Sequence, residues 1–240
     1  MSLEFLNADA AVPSERFAPA ARSPMERQAR AAGARMETRD GWVIAAAYDK
    51  QHQTGWADMS HLGKLELQAE RDVLEAIFAA NTSAPFELGS AHRGEGAWWC
   101  PLAPTRLLVL CEASQLASIR SQIEEAITAV DTPASLVDVT TVFAALTVAG
   151  PHAREMFARF CALDLRPQVT PPGSVRPGSV ARQPGVVLCE REDRFVMLFG
   201  WAVAEYVWQQ VEEAGRHLGA GPMGVDALAP LEHPVEGVRS

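Results

Sequence analysis

The sequence lacks the features that would assign a function directly. No strand-like segment is followed by a G-x-G-x-x-G turn or a phosphate-binding loop, which excludes nucleotide binding by those routes. No apolar run approaches the roughly 20 residues that a membrane span needs. The N-terminus has no basic stretch followed by a long apolar one, as a secretory signal would have. The sequence therefore predicts a cytoplasmic protein with no membrane association.

Cysteine is scarce, and basic residues are not clustered. The four cysteines are far apart within apolar runs, with no C-x-x-C pair and no histidine at zinc-ligand spacing, so we expect buried reduced thiols and no metal site. The 21 Lys and Arg residues are scattered against 30 Asp and Glu residues, and the formal net charge is −9. Such a charge repels a polyphosphate backbone, which disfavours nucleic acid as a partner.

The chain does contain enough apolar sequence for an ordinary folded domain. With 48% hydrophobic and 21% charged residues among 240, it can bury a core without metals or cross-links. Residues 1–22 are rich in Ala, Pro, Ser and charge without periodicity, and they predict a flexible or partner-wrapped arm. We expect the folded domain over 23–231 and a short tail at 232–240.

The first half of the chain has the hydrophobic pattern of alternating strands and helices. A capping serine followed by proline predicts a short helix over 23–33. Residues 56–70 alternate like a half-buried strand, and 71–80 have the spacing of an amphipathic helix. Two strands within 97–111 then lead into a second helix over 114–130.

The second half repeats this order. Asp138 with Thr140 echoes Asp58 with Ser60, and each Asp is interpreted as the anchor of a local turn through side-chain to backbone bonds. An alternating strand and a short helix follow the second pair, as they follow the first. The two halves, at about 42–130 and 135–231, therefore look duplicated.

The end of the chain completes the predicted architecture. A Pro- and Gly-rich segment at 166–185 reads as a linker, before two strands at 186–189 and 194–199 and a helix over 202–219. Mixed strands and helices joined by short links indicate an α+β fold and not a parallel doubly wound sheet.

Several motifs, in the same order, resemble those of the glycine-cleavage aminomethyltransferase family. The segment DMSHLGK at 58–64 is similar to that family's D-x-S-H-x-G-K pattern, and LTVAGPHAREMF at 146–157 is similar to its L-x-G-P-x-A-R-x-x-L pattern. The final helix and the G-x-x-P-x-G-L-x-A-L-like segment after it extend the resemblance to about Leu231. The resemblance implies a folate-binding-type domain. The family's further C-terminal barrel is expected to be lacking, because the chain stops nine residues later.

One segment departs from the enzymes of that family. GEGAWWCPLAPTRLLVLC, at 94–111, lacks the Asp pair that they place before this strand. It resembles the L-W-L-G-P-D-E-W-L-L pattern of sarcosine oxidase gamma subunits, with Pro104, Thr105 and Arg106 in the P-D-E place. Transfer of a one-carbon unit to a pterin nitrogen needs a positioned carboxylate, typically an effect of roughly 10²- to 10⁴-fold. The resemblance therefore implies no catalytic residue in this chain.

The function that the resemblance implies is that of a small gamma-like subunit of a heteromeric sarcosine oxidase-type demethylase, mainly structural. Its partners would be larger flavoprotein subunits that hold flavin, nicotinamide and tetrahydrofolate. One alternative is a stand-alone tetrahydrofolate-dependent aminomethyltransferase or methyltransferase whose acid comes from another position, with Glu87 and Glu95 the nearest carboxylates. Another is a folate-sensing or structural homo-oligomer.

Three residues are candidate folate contacts by the resemblance. Met59 and His61 lie in the first motif, although a histidine at this position can equally be a hydrogen-bonded structural residue. Glu192 lies in CEREDRFVML, which lines up with the family's Y-T-G-E-D-G-F-E-L, where the Glu accepts hydrogen bonds from the pterin ring; otherwise it is a solvated turn carboxylate. Arg191 and Arg194 stand where the family has glycines, and their side chains would change or block this turn.

The adjacent tryptophans 98 and 99 are a separate candidate. Alternation along a strand buries at least one of them, and the other could anchor a protein interface, where aromatic residues are concentrated.

Overall fold

The computed structural model describes residues 19–94, 96–130 and 132–228. The predicted tail at 232–240 and most of the predicted arm at 1–22 lie outside the described residues. The strands are β1 Ala21–Arg22, β2 Arg35–Arg39, β3 Trp42–Ala47, β4 Gly55–Asp58, β5 Gly63–Ala69, β6 His92–Gly94, β7 Ala97–Ala103, β8 Arg106–Cys111, β9 Ala134–Asp138, β10 Phe143–Ala149, β11 Val175–Val180, β12 Gln183–Arg191, β13 Arg194–Gly200 and β14 Gly221–Pro222. The α-helices are α1 Glu26–Ala31, α2 Arg71–Thr82, α3 Leu116–Thr128, α4 Ala153–Phe160 and α5 Ala204–Gly215.

The order of strands and helices repeats once along the chain. From β4 to α3 the order is strand, strand, helix, three strands and helix, and the same order runs from β9 to α5. The strands form a six-stranded sheet, β11-β12-β13-β10-β4-β14, and a five-stranded sheet, β6-β7-β8-β5-β9. This arrangement confirms the predicted α+β class with duplicated strand-helix halves.

Each repeat places its first strand in the sheet of the other repeat. β4 pairs antiparallel with β10 of the second repeat, and β9 pairs antiparallel with β5 of the first. The chain therefore crosses from one sheet to the other after β4 and again after β9. This exchange interlocks the two repeats and brings both crossings to one place.

The two sheets pack face to face, and helices cover their outer faces. Trp98 belongs to the apolar cluster between the sheets, whereas Trp99, next to it on β7, belongs to the cluster beneath α2 and α3. Phe157 of α4 and Trp208 of α5 pack against the outer face of the six-stranded sheet. Because both rings of the tryptophan pair are buried, neither is available as an exposed interface anchor.

The apolar spacing of the sequence predicts the helices correctly. The α2 helix buries the four residues on its predicted apolar face, Val73, Leu74, Ile77 and Phe78. The first helix is shorter than predicted, because Ser23 lies before it and accepts a hydrogen bond at Oγ from the Met25 backbone N–H, 3.0 Å away.

The predicted linker at 166–185 is wrong over its second part. Val175–Val180 forms β11, which pairs antiparallel with β12 from Gln183 onward. Pro177 is tolerated because β11 is the edge strand of its sheet, where a missing N–H faces no further strand. The hairpin turns through Ala181 and Arg182, whose φ values are 49° and 63°, without the glycine or asparagine that marks such turns in a sequence.

A third, small sheet has the order β1-β3-β2. Its β2–β3 hairpin turns at Asp40 and Gly41, with φ values of 48° and 76°, as an Asp-Gly pair favours. The C-terminal 3₁₀ turn Val225–Ala227 packs against β3. This sheet and this turn supply one side of the cavity described below.

Candidate functional site

The two crossings between the sheets are built by the same local turn. The carboxylate Oδ1 of Asp58 accepts a hydrogen bond from the Ser60 backbone N–H at 3.0 Å, and Oδ1 of Asp138 accepts one from the Thr140 N–H at 2.9 Å. These bonds confirm that both aspartates anchor turns. They also explain why an Asp followed two residues later by a hydroxyl residue occurs at the corresponding place in each half of the sequence.

The hydroxyl groups of the two turns then join the repeats to each other. Ser60 Oγ accepts a hydrogen bond from the backbone N–H of Ala145 at 3.2 Å, and Thr140 Oγ1 accepts one from the backbone N–H of Lys64 at 3.0 Å. Each repeat thus satisfies a buried donor of the other, and the bonds are related as the repeats are. The crossing is held by hydrogen bonds as well as by apolar packing.

Lys64 is the centre of this crossing, and sequence reasoning missed it. Its side chain is fully buried, and Nζ donates to the backbone carbonyls of Ser60 at 2.9 Å, Leu62 at 2.7 Å and Thr140 at 3.3 Å. An ammonium group has three N–H donors and no acceptor, so three carbonyls satisfy it completely. Lys64 is one of only two lysines in the chain, and its position inside an alternating apolar strand was the available signal.

The protonation of Lys64 is sensitive to its surroundings. Burial lowers the pKa of its ammonium group from 10.5 to about 7, while the nearby charges of Asp58 and Asp138 act in the opposite direction. For Asp58 burial is also the larger effect, and it raises the pKa of that carboxyl group above its usual value. The crossing therefore combines full hydrogen bonding with an electrostatic penalty.

A cavity of about 400 Å³ lies beside this crossing. Met59 and His61, two of the three candidate ligand residues, both line it. The apolar part of its wall also includes Ile44 of β3 and, from the C-terminal segment, Val225 and Leu228. The cavity thus lies between the first sheet crossing, the small sheet and the C-terminal turn.

His61 is a neutral polar group in this cavity. Burial, followed by the nearby Lys64 and Arg39 charges, lowers the pKa of its imidazole from 6.5 to about 4. Its side chain is nevertheless partly exposed, because one side of the ring faces the cavity and not packed protein. At neutral pH it can donate one hydrogen bond and accept another, but it carries no charge.

Glu192, the third candidate, lies elsewhere. It is exposed in the two-residue turn between β12 and β13, and it is not among the described residues that line the cavity. Its backbone carbonyl accepts a hydrogen bond from Arg154 Nε at 3.1 Å, and the same guanidinium group bonds the carbonyl of Leu165. The structure therefore brings Met59 and His61 together on one cavity but leaves Glu192 outside it, exposed at the tip of the β12–β13 hairpin.

From this hairpin it is Arg194, paired with Glu190, and not Glu192 that reaches the cavity. Glu190 lies on the same face of β12 as Val186 and Leu188, which belong to the cluster between the sheets, and the register of β12 against β13 shifts at this residue. Glu190 Oε1 accepts a hydrogen bond from Trp98 Nε1 at 3.0 Å, and Oε2 lies 2.6 Å from Arg194 Nε. This last contact is an ion pair and not an aligned hydrogen bond, since the N–H does not point at the oxygen. Arg194 in turn lines the cavity.

The wall of the cavity carries both acceptors and donors. Two of the nearby carboxylates are already engaged, Glu190 by Trp98 and Arg194, and Asp226 by Arg39 at 2.6 and 3.1 Å. Asp40 and Glu112 also line the cavity, and Arg194 adds donors to its wall.

Of the other groups considered, Glu87 and the four cysteines do not line the cavity. Glu87 is exposed and does not line the cavity, and Glu95 lies outside the described residues. All four cysteines are free thiols, and burial raises the pKa of each; three are buried as the sequence predicts, whereas Cys161 is partly exposed. Among residues 19–94, 96–130 and 132–228, no three His, Cys, Asp or Glu side chains are grouped to hold a metal ion. Within the same residues, no helix has the length and apolar character needed to cross a membrane.

The fold and the site define a class of protein: a duplicated α+β domain whose halves exchange their first strands beside a small cavity. The sequence model of the GCVT N-terminal domain matches residues 97–233, and the chain belongs to that family. This membership confirms the resemblance to the glycine-cleavage aminomethyltransferases.

Two solved structures share the fold. A chain of the heterotetrameric sarcosine oxidase from Corynebacterium sp. U-96, in complex with pyrrole 2-carboxylate, superposes with a TM-score of 0.67 and 19% identity, over 83% of this chain and 97% of that one. Aminomethyltransferase T of the glycine cleavage system from Bartonella henselae superposes with a TM-score of 0.70 and 14% identity, over 86% of this chain and 60% of that one. Identities this low show a common fold alone. No curated protein sequence matches the chain.

Proposed function

We propose that this chain is a small, mainly structural subunit of a heteromeric oxidative N-demethylase of the sarcosine oxidase type. The larger flavoprotein subunits would hold flavin and tetrahydrofolate, and this domain would contribute to assembly. The observation that carries the proposal is the Trp98–Glu190–Arg194 network, which engages a buried carboxylate and directs an arginine to the cavity wall.

The comparisons support the subunit interpretation through length. The sarcosine oxidase chain is matched over 97% of its residues, whereas the chain spans 60% of the aminomethyltransferase. A domain of this size is therefore sufficient to be one chain of an oxidase heterotetramer. We propose oxidative N-demethylation as the activity of the whole assembly and the cytoplasm as its location.

The chemistry of the cavity supports a role without turnover. One-carbon transfer to a pterin nitrogen requires a carboxylate that can take up and release a proton beside the reacting amines. Glu190 is unsuited to this because its two oxygens already contact Trp98 and Arg194. His61 is neutral and carries no negative charge with which to do this.

The first test is a calorimetric titration of the purified chain with tetrahydrofolate. We expect no saturable heat at micromolar ligand, whereas a family aminomethyltransferase measured in parallel should show it. The Arg194→Gly variant removes the guanidinium group from the cavity wall, and Arg191→Gly removes an exposed one as the matched control. Binding that emerges in Arg194→Gly but not in Arg191→Gly would show that the arginine is what excludes the ligand.

The second test is assembly. Co-expression with the large flavoprotein subunits of a sarcosine oxidase-type enzyme should give one stoichiometric complex by size-exclusion chromatography with light scattering. Failure to assemble would contradict the subunit proposal. Saturable heat in the unmodified chain would instead favour the transferase alternative, to which the shared position of Met59 and His61 on one cavity gives its specific support.

A further inference from the structure

Two separate segments contribute to the wall of the cavity, together with Glu112 and Arg194. One is the tip of the β2–β3 hairpin, which contributes Arg39 and Asp40. The other is the segment 224–228, called the strap here, which contributes Val225, Asp226 and Leu228. Movement of the strap away from the hairpin would widen the cavity that Met59 and His61 line.

The strap lies directly on β3, but few backbone bonds attach it. Before the strap, the Met223 N–H donates to the Trp56 carbonyl at 2.7 Å. Within the described residues, the backbone bonds that follow are internal to the strap, from Ala227 N–H to Gly224 O at 3.0 Å and from Leu228 N–H to Val225 O at 3.1 Å. A side chain at position 224 would collide with the Ala46 carbonyl, so glycine is what permits the close seating.

Side-chain charges supply the connection between the strap and the hairpin. Both carboxylate oxygens of Asp226 accept hydrogen bonds from Arg39, at 2.6 and 3.1 Å, and Arg35 lies 3.6 Å from the same carboxylate. Glu37 holds Arg39 from its other side at 2.6 Å. The Arg39 and Asp226 side chains are each 40% exposed, so water and salt reach this pair. Bidentate geometry and the neighbouring charges strengthen this pair, but salt screens it because it is exposed.

We propose that the strap opens and closes the cavity and that the Arg39–Asp226 pair is its clasp. Val225 and Leu228 are partly buried against the cluster between the sheets, and this burial stabilises the closed position of the strap. The Arg39–Asp226 pair sets how often the strap opens. Rising ionic strength screens the exposed pair and increases the open fraction. This inference goes beyond the proposed function and does not depend on it, because it concerns access to the cavity whatever the cavity binds.

The test measures access to His61 directly, with diethyl pyrocarbonate as the probe and mass spectrometry as the readout. The probe modifies neutral imidazole, and since the pKa of His61 is about 4, the ring is neutral at pH 7 in the parent and the variant alike. His152 and His217 serve as internal references away from the cavity. Hydrogen exchange of residues 224–228, measured on the same samples, reports opening of the strap itself.

The variant Asp226→Asn removes the charge of the clasp and keeps its shape. We expect it to raise the modification rate of His61 by about two- to fivefold, the range open to an exposed ion pair. Glu75→Gln is the matched control, because it breaks the exposed Arg71–Glu75 pair on α2, whose atoms are 2.7 Å apart, against 2.6 Å in the Arg39–Asp226 pair. High salt should raise the rate in the unmodified chain and have little further effect in Asp226→Asn.

Two results would overturn the proposal. One is an unchanged His61 rate and unchanged strap exchange in Asp226→Asn, which would mean that the pair does not control access. The other is an equal increase in exchange throughout the sheets and helices, which would mean that the variant loosens the whole domain and not the strap.

Discussion

Replacing Lys64 with methionine tests what the sheet crossing depends on. The change keeps most of the side-chain volume and removes only the ammonium group. Three buried carbonyls, those of Ser60, Leu62 and Thr140, then lose the donor that satisfies them. The crossing loses a polar centre while its apolar packing remains.

Two opposing effects determine the size of the change. The lowering of the Lys64 pKa from 10.5 to about 7 corresponds to an electrostatic cost on the order of 5 kcal/mol for the charged form. Three hydrogen bonds from a charged donor contribute about 1.5–3 kcal/mol each, roughly 7 kcal/mol together. This exceeds the relief of about 5 kcal/mol, so we expect Lys64→Met to lose about 2 kcal/mol of unfolding free energy.

The assay is equilibrium unfolding in urea at pH 7, with Leu65→Met as the control. Leu65 is fully buried on the same strand, and this volume-conserving swap should cost less than about 1.5 kcal/mol. If Lys64→Met were as stable as the control, or more stable than the parent, the ammonium group would be an electrostatic burden and not the anchor of the crossing. The reasoning from hydrogen bonds would then be refuted.

The pH dependence of the same pair of proteins gives the sign of the electrostatic effect. Because the folded pKa of Lys64 lies below the unfolded one, the folded parent binds fewer protons between pH 7 and 10.5. Its stability relative to Lys64→Met should therefore rise across that interval. A deficit of the variant that stays constant from pH 7 to 9 would contradict the lowered pKa.

Three further changes test other parts of the structure. Arg182→Gly should stabilise the protein by about 1 kcal/mol in urea unfolding, because Arg182 has a φ of 63° that glycine adopts without strain; a loss of stability would contradict this. His61→Gln should remove an acid-side loss of stability, since a pKa of about 4 when folded and 6.5 when unfolded weakens the parent as pH falls through that interval, by up to roughly 3 kcal/mol. If the unfolding free energy of parent and variant fell equally as the pH was lowered, the lowered pKa of His61 would be contradicted. Glu190→Gln should cost about 3 kcal/mol by leaving the Arg194 charge buried without its partner. The double variant Glu190→Met/Arg194→Met removes both charges. In thermal unfolding it should therefore be less destabilised than Glu190→Gln.

Local patterns in the sequence predicted much of the secondary structure and one part of the site. The apolar spacing of Val73, Leu74, Ile77 and Phe78 is a property of consecutive residues, and it requires only some neighbouring apolar surface. The turns at Asp58 and Asp138 are local for the same reason, because each carboxylate bonds a backbone N–H two residues later. Their repetition predicted the duplication before any contact between the halves was known.

Long-range pairing could not be predicted in the same way. Nothing local shows that β4 pairs with β10 or that β9 pairs with β5, since these partners are some 70–90 residues apart and any apolar strand would serve. The strand at Val175–Val180 was hidden by its prolines and glycines, which its edge position tolerates.

The sequence by itself determined the α+β class, the helices, the paired turns and the family, because each depends on residues close together in the chain or on motifs in a set order. Only the tertiary structure decided which charged groups are inside. Lys64 is buried because the two crossings meet around it, and Glu190 is buried because its face of β12 packs between the two sheets, against Trp98. Burial and the register between strands are properties of the assembled sheets, so the chemistry of the cavity was decided there.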